Sequence, residues 1–129
     1  MILFYLSYPF SDNPDLRTQE AIHLARKIMK MDSNIFVIVP HITFNSILPI
    51  RIGAGRGLRC IRIAGAELET IERCDGFIIG CDRFDEMSVG MLWETAFARK
   101  IGKKILQVVF DPENDGLLAL KEVTEYGPD

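Results

Sequence analysis

Four short, nearly unbroken apolar runs punctuate the chain: ILFYLS (2–7), NIFVIVP (34–40), GFIIGC (76–81) and KKILQVVF (103–110). Runs of this length, rich in Val, Ile and Phe and bounded by Gly, Pro and Asn, predict strands buried on both faces. Between them the period changes. Over 18–31 the residues Ala21, Ile22, Leu24, Ala25, Ile28 and Met29 recur three and four apart, which predicts an amphipathic helix. Further helices are expected over 57–73 and 88–101, and 112–127 reads as one more. Buried strands alternating with helices predict a single three-layer α/β/α domain over 1–129. Right-handed crossovers make a parallel sheet of flavodoxin- or Rossmann-like order 2-1-3-4 the expected topology. Such sheets bind ligands beyond the carboxyl ends of their strands, so the loops 7–17, 40–56 and 81–90 carry the interest.

One helix breaks its own pattern. SVGMLWETAFA (88–98) is apolar after Ser88 except for Glu94 and Thr95, and Glu94 is its single charge. A carboxylate in such company is either buried with partners or kept for chemistry. If Ser88 caps the helix, Glu94 lies a turn and a half inside it, and the helix start points at the strand ends. Trp93 and Phe97 are then expected on the core side and the acid toward the crevice, above Tyr5 and Ser7. Glu67 lies in the preceding helix on the margin of an apolar face, with Glu69 and Glu72 looking outward. Pattern alone leaves it open between a boundary salt bridge and a second acid.

Composition narrows the class. The 129 residues are 48% hydrophobic, with a net charge of −3, which fits a globular domain and not one built to grip nucleic acid. The residues MILFYLSYPF lack a basic leader pattern, no apolar run approaches a membrane span, and the cytoplasm is the expected place. Cys60, Cys74 and Cys81 have neither CxxC nor zinc-type spacing, so free thiols and no metal are expected. GAGRG (53–57) fails as a dinucleotide fingerprint: position 58 is Leu58 and no strand precedes it, so no such cofactor is expected.

The stretch 33–66 contains no acid after Asp32, and Arg56, Arg59 and Arg62 repeat every third residue. They read either as an anion site or as a solvated face salt-bridged to Glu69 or Glu72. His41, after Pro40 at the end of the second strand, stands where a ligand would be met, although a lone histidine also fits a structural role. Phe10, Phe44, Phe84 and Trp93 could stack on a base or pack in the core.

In their order and spacing these pieces resemble the nucleoside 2-deoxyribosyltransferases and their nucleotide N-glycoside hydrolase relatives. The likeness runs from Tyr5 to about Val109 through YLSYPF (5–10), FVIVPH (36–41), ELETIERCDGFIIG (67–80) and SVGMLWETAFARKIGKKI (88–105). It implies that Glu94 is the nucleophile, that Tyr5 lines the sugar or base pocket, and that Ser88 and Gly90 hold the sugar or its 5′ substituent. Glu67 falls where the family usually has an aspartate that assists the departing base. Tyr8 replaces the family's usual glycine, and Ser11 stands near the place of a hydrolase arginine; Arg17 is offset from it. With Ser7, Phe10, His41 and Arg56 as further binding residues, the implied activity is cleavage or transfer at an N-glycosidic bond. The implied ligand is a small nucleoside or nucleotide, and the implied assembly is a homodimer or higher oligomer. A non-catalytic module that binds the same ligand remains the alternative, since a fold does not guarantee an activity.

Overall fold

A computed structural model of the chain describes residues 1–9, 13–40, 56–111 and 116–124; the side chains of 56–64, 117 and 118 lie outside the description. The elements are β1 (Ile2–Ser7), α1 (Pro14–Met31), β2 (Ile35–Ile38), α2 (Arg56–Arg73), β3 (Gly76–Ile79), a short 3-10 turn (Phe84–Glu86), α3 (Val89–Lys100), β4 (Lys104–Asp111) and β5 (Gly116–Glu122). The sheet order is β2-β1-β3-β4-β5. The first four strands pair in parallel, in the expected order, and β5 adds an antiparallel edge.

Alternation along each strand builds two cores, one per face. Phe4, Leu6, Ile78, Leu106 and Val108 face α1, which returns Ala21, Leu24, Ala25 and Ile28. Tyr5, Phe77, Ile79 and Ile105 face the other way and pack with Ile71 of α2 and Met91 and Ala98 of α3. Burying this apolar area on both faces is the main force holding the three layers together. The Tyr5 and Phe77 rings, paired in register across β1 and β3, stack with centroids 5.7 Å apart.

Local chemistry sets the helix ends. The side chain of Asn13 accepts from the Leu16 amide and Pro14 opens α1, so the helix starts four residues ahead of the apolar period. Ser88 caps α3 as expected, its Oγ accepting from the Met91 amide at 3.2 Å. α3 stops where Gly102 takes φ +78°. There the Gly102 amide donates to the Arg99 carbonyl and the Lys103 amide to the Ala98 carbonyl. This paired closure needs a left-handed residue that glycine adopts without strain.

Two expectations are corrected. Where a helix was expected over 112–127, Gly116–Glu122 form β5, whose Leu120 and Ala119 pair with Val108 and Val109 of β4 ahead of a register shift between Val109 and Phe110. Leu, Ala, Lys and Glu favour helix in isolation, but an open sheet edge offers a whole row of backbone partners, and that tertiary gain overrides the local preference. Trp93 does not face the core: it is 72% exposed. The buried stripe of α3 is Met91, Glu94, Thr95 and Ala98, spaced three and four apart, and Trp93 falls beside that stripe rather than on it. Phe97 is half-buried and does pack against the second core.

Candidate active site

The chain leaves β1 toward β2 on one side of the sheet and returns to β3 on the other, so β1 and β3 flank the topological switch point. Crevices form there because the connections diverge. Ser7 ends β1, and the residues after β3 lead through the 3-10 turn into α3. Tyr5 and Ser7 share the sheet face that α2 and α3 cover, which brings them under Glu94.

Glu94 is buried and occupied at both oxygens. The Tyr5 hydroxyl donates to Oε2, and Ser7 Oγ donates to Oε1 at 2.9 Å. Glu67, on α2, lies beside Glu94 and the Tyr5 hydroxyl, close enough for each group to act on the others electrostatically. Burial first, and then the neighbouring Glu94, push the Glu67 carboxyl up to about 9 from its ordinary 4.5. Burial and a neighbouring acid both disfavour the charged form of Glu67, so it holds its proton more tightly than an ordinary carboxyl. Burial, followed by the charges of Glu94 and Glu67, holds the Tyr5 phenol well above its usual range, so it remains a donor. The result is a buried Glu94 side chain fixed by two hydroxyls, with a second acid beside it whose proton is held more tightly than usual.

The surroundings hold this cluster in place. The Gly80 amide donates to the Ser7 carbonyl at 2.8 Å. A Cβ at Gly80 would stand 2.7 Å from that carbonyl and 2.8 Å from the Tyr8 ring, so a side chain there must push β1 away. Gly80→Ala is therefore expected to cost about 1–3 kcal/mol in thermal unfolding and to reduce binding of any ligand that meets Ser7. Gln107 of β4 is buried and donates from Nε2 to the Cys81 carbonyl at 3.1 Å, tying down the loop that leads to α3. Neither Gly80 nor Gln107 stands out in the sequence reading, although a glycine directly after a buried strand is a signal of close backbone approach. Tyr8, half-buried, is in contact with Arg17, which also pairs with Glu20 at 2.8 Å. Arg17 thus does lie near the end of β1, despite its offset in the sequence.

Other candidates are not gathered here. Ser88 is the helix cap already described, and Gly90 is exposed on the first turn of α3, with open space around it apart from Ser88 Oγ. His41, Phe10 and Phe44 lie outside the described residues, as do the side chains of Arg56, Arg59 and Arg62. Of their suggested partners, Glu69 pairs with Arg73 at 3.1 Å. Phe84 is partly exposed in the 3-10 turn. Cys81 is no reactive thiol: burial and the acidic loop beside it push it up to about 11. Among the described residues no cluster of His, Cys, Asp and Glu is arranged to hold a metal ion. No helix among them is long and apolar enough to cross a membrane.

No protein-family model matches the chain, and no curated protein matches it either. Among solved structures it is similar to a 2-deoxyribosyltransferase from the psychrotolerant bacterium Bacillus psychrosaccharolyticus, a biocatalyst for the synthesis of antiviral and antitumoral nucleosides. That likeness covers 81% of this chain and 70% of the other, with a TM-score of 0.55 and 21% sequence identity. At that identity it establishes one thing: the five-stranded α/β domain has the 2-deoxyribosyltransferase fold.

Proposed function

We propose that this protein breaks the N-glycosidic bond of a (deoxy)nucleoside or nucleotide, passing the sugar to water or to a second base. The observation that carries the reading is Glu94 held by Tyr5 and Ser7 with a second acid, Glu67, beside it, whose carboxyl burial and Glu94 push up. Glycosidic cleavage needs both forms at once. A carboxylate must meet the anomeric carbon as positive charge develops there, and an acid must protonate the departing base.

In this reading Glu94 attacks the anomeric carbon as the carbon–nitrogen bond breaks, forming a glycosyl ester. Glu67 gives its proton to the base nitrogen and becomes the carboxylate. It then takes a proton from the incoming water or base, and the ester opens to regenerate Glu94 with the sugar configuration retained. Inverting glycosidases separate their carboxyls by roughly 6.5–9.5 Å to seat a water between them. A retaining enzyme instead brings its two carboxyls close together, and the push that Glu94 gives the Glu67 carboxyl supports the covalent route. The extra methylene of Glu67, relative to the aspartate of the resembling family, supplies reach from α2 to the Glu94–Tyr5 contact.

The reading further takes the protein to act in the cytoplasm as a homo-oligomer on a small-molecule substrate. A second reading, a module that binds a nucleoside without turning it over, draws on the closed state of Glu94, which is 9% exposed and already bonded at both oxygens. One experiment separates them. The protein is incubated with deoxynucleosides and their monophosphates, and free base is followed by chromatography beside thermal-shift curves. Base release supports the enzyme. Thermal shifts without release support the binder. Silence in both overturns the two readings together.

A further inference from the structure

We propose that Gln107 is a positioning residue: its amide pins the loop that leads from β3 into α3, and through that helix it sets where Glu94 stands over Tyr5 and Ser7. Ile105, Leu106, Gln107 and Val108 of β4 are all buried, and of these four only Gln107 is polar. A buried amide is costly unless it is hydrogen-bonded, so an apolar residue would serve better if filling the core were the whole task. Gln107 has a partner: its Nε2 donates to the Cys81 carbonyl at 3.1 Å. The parallel ladder between β3 and β4 ends at the pair Ile79–Gln107, so the buried Cys81 lies past the last paired residue of its strand. There a side chain supplies the donor that a neighbouring strand supplies further back.

The place of Gln107 in the sheet gives this bond its reach. Ser7, Ile79 and Gln107 stand in one row across β1, β3 and β4, on the face that α2 and α3 cover. Neighbouring strands lie about 5 Å apart, so the two polar members of the row flank Ile79 at that spacing on either side. α3 packs against all three strands. From β1, Ser7 Oγ holds Glu94 directly. From β4, Gln107 holds the start of the loop whose far end, Ser88, caps α3. Residues 82–86 between these points are exposed. The Glu86 amide donates to the Arg83 carbonyl and the Met87 amide to the Phe84 carbonyl, bonds that join the loop to itself. The Gln107 bond joins it to the sheet. Without that bond the loop and the helix start it feeds can shift, and Glu94, in the second turn of α3, shifts with them. The consequence for catalysis rests on Glu94 being the nucleophile; its placement does not.

Gln107→Met keeps the length of the side chain and removes the donor; Gln107→Asn keeps the amide but withdraws it by one methylene. Each is compared with the parent chain by hydrogen exchange, by carbodiimide labelling of carboxyls with glycine ethyl ester, and by the kinetics of base release. In Gln107→Met the amides of residues 81–92 should exchange about ten-fold faster, while those of α1 and β1 keep the parental rate. Glu94, buried in the parent chain, should label at least about three-fold faster, whereas the exposed Glu69 and Glu72 should label as before. The kcat should fall about 10- to 100-fold with KM within about three-fold, because a displaced nucleophile loses its attacking geometry more than the ligand loses its binding. Gln107→Asn should show smaller changes at the same places, and it decides if Gln107→Met fails to fold. Unchanged exchange over 81–92, unchanged labelling of Glu94, or loosening spread evenly over the chain overturns the proposal. In a parent chain that releases base, an unchanged kcat overturns it as well. A parent chain that releases no base removes the glycosidic reaction alone, and exchange and labelling then decide the role of Gln107.

Discussion

Glu94→Gln is expected to lower base release by about a thousand-fold or more while leaving thermal stability close to that of the parent chain. Losing a covalent nucleophile removes the path that splits one hard step into two easier ones, and effects of this size are usual. Glutamine is the informative replacement. Its carbonyl can still accept from Tyr5 and its amide can donate to Ser7 Oγ, so the two bonds seen at Glu94 keep counterparts. Alanine would instead strand two buried hydroxyls at about 1–3 kcal/mol each, confusing a folding defect with a chemical one. Intact-mass analysis of the parent chain with a slow substrate should show a glycosyl adduct, and Glu94→Gln should show none. A Glu94→Gln protein that retains full activity rules out the covalent mechanism.

Glu67→Gln should lower activity by about 10²–10⁴-fold, the usual worth of a positioned general acid, and should change the pH profile in a specific way. In the parent chain the proton on Glu67 is lost as pH rises through about 9, so activity should fall there. Glutamine has no proton to lose, and the residual activity of the variant should lack that limb. Stability moves with the same proton. The folded state holds a proton that the unfolded chain releases above the ordinary 4.5, so the contribution of Glu67 is complete below that pH and drains away up to about 9. Melting temperature in the parent chain should therefore decline across this window more steeply than in Glu67→Gln. Equal slopes and an identical high-pH limb in the two proteins would assign the proton to another group.

The resting geometry also bears on substrate entry. Both oxygens of Glu94 are engaged by hydroxyls, so a sugar must take the place of at least one of those bonds to reach the carboxylate. Ser7 is the donor at the carboxyl end of β1, and its carbonyl is fixed by the Gly80 amide. This links the Gly80→Ala prediction to catalysis: moving Ser7 alters the group that a ligand would meet beside the nucleophile.

Much of the fold was legible because its signals are local. Four unbroken apolar runs and a helical period between them were enough for the parallel order 2-1-3-4, since right-handed crossovers leave few alternatives. Ser88 as a cap was legible in the same local pattern, but that pattern put Trp93 and Phe97 on the core side and Glu94 toward an accessible crevice, whereas Glu94 lies in the buried stripe of α3. The start of α1 was misplaced because it lies in the capping pair Asn13–Pro14, outside the apolar period. β5 was misread because its residues favour helix locally, while the exposed edge of β4 is a feature of the assembled sheet.

The candidate site divides along the same line. The shared strand face of Tyr5 and Ser7 could be read from the chain alone, because a period of two settles which side chains of a strand lie together. The proton arrangement could not. Glu94 meets Tyr5 across 89 positions of sequence and Ser7 across 87, and Glu67 joins them from a different helix. Which carboxyl keeps the proton is set by burial and by the field of the other charge, and both exist only once the strands and helices have closed over one another. Trp93 shows the complement. Sequence made it a large apolar residue on an apolar helix, but which side of that helix meets the sheet was decided by the packing of Met91, Glu94 and Ala98, and that choice left the indole in water.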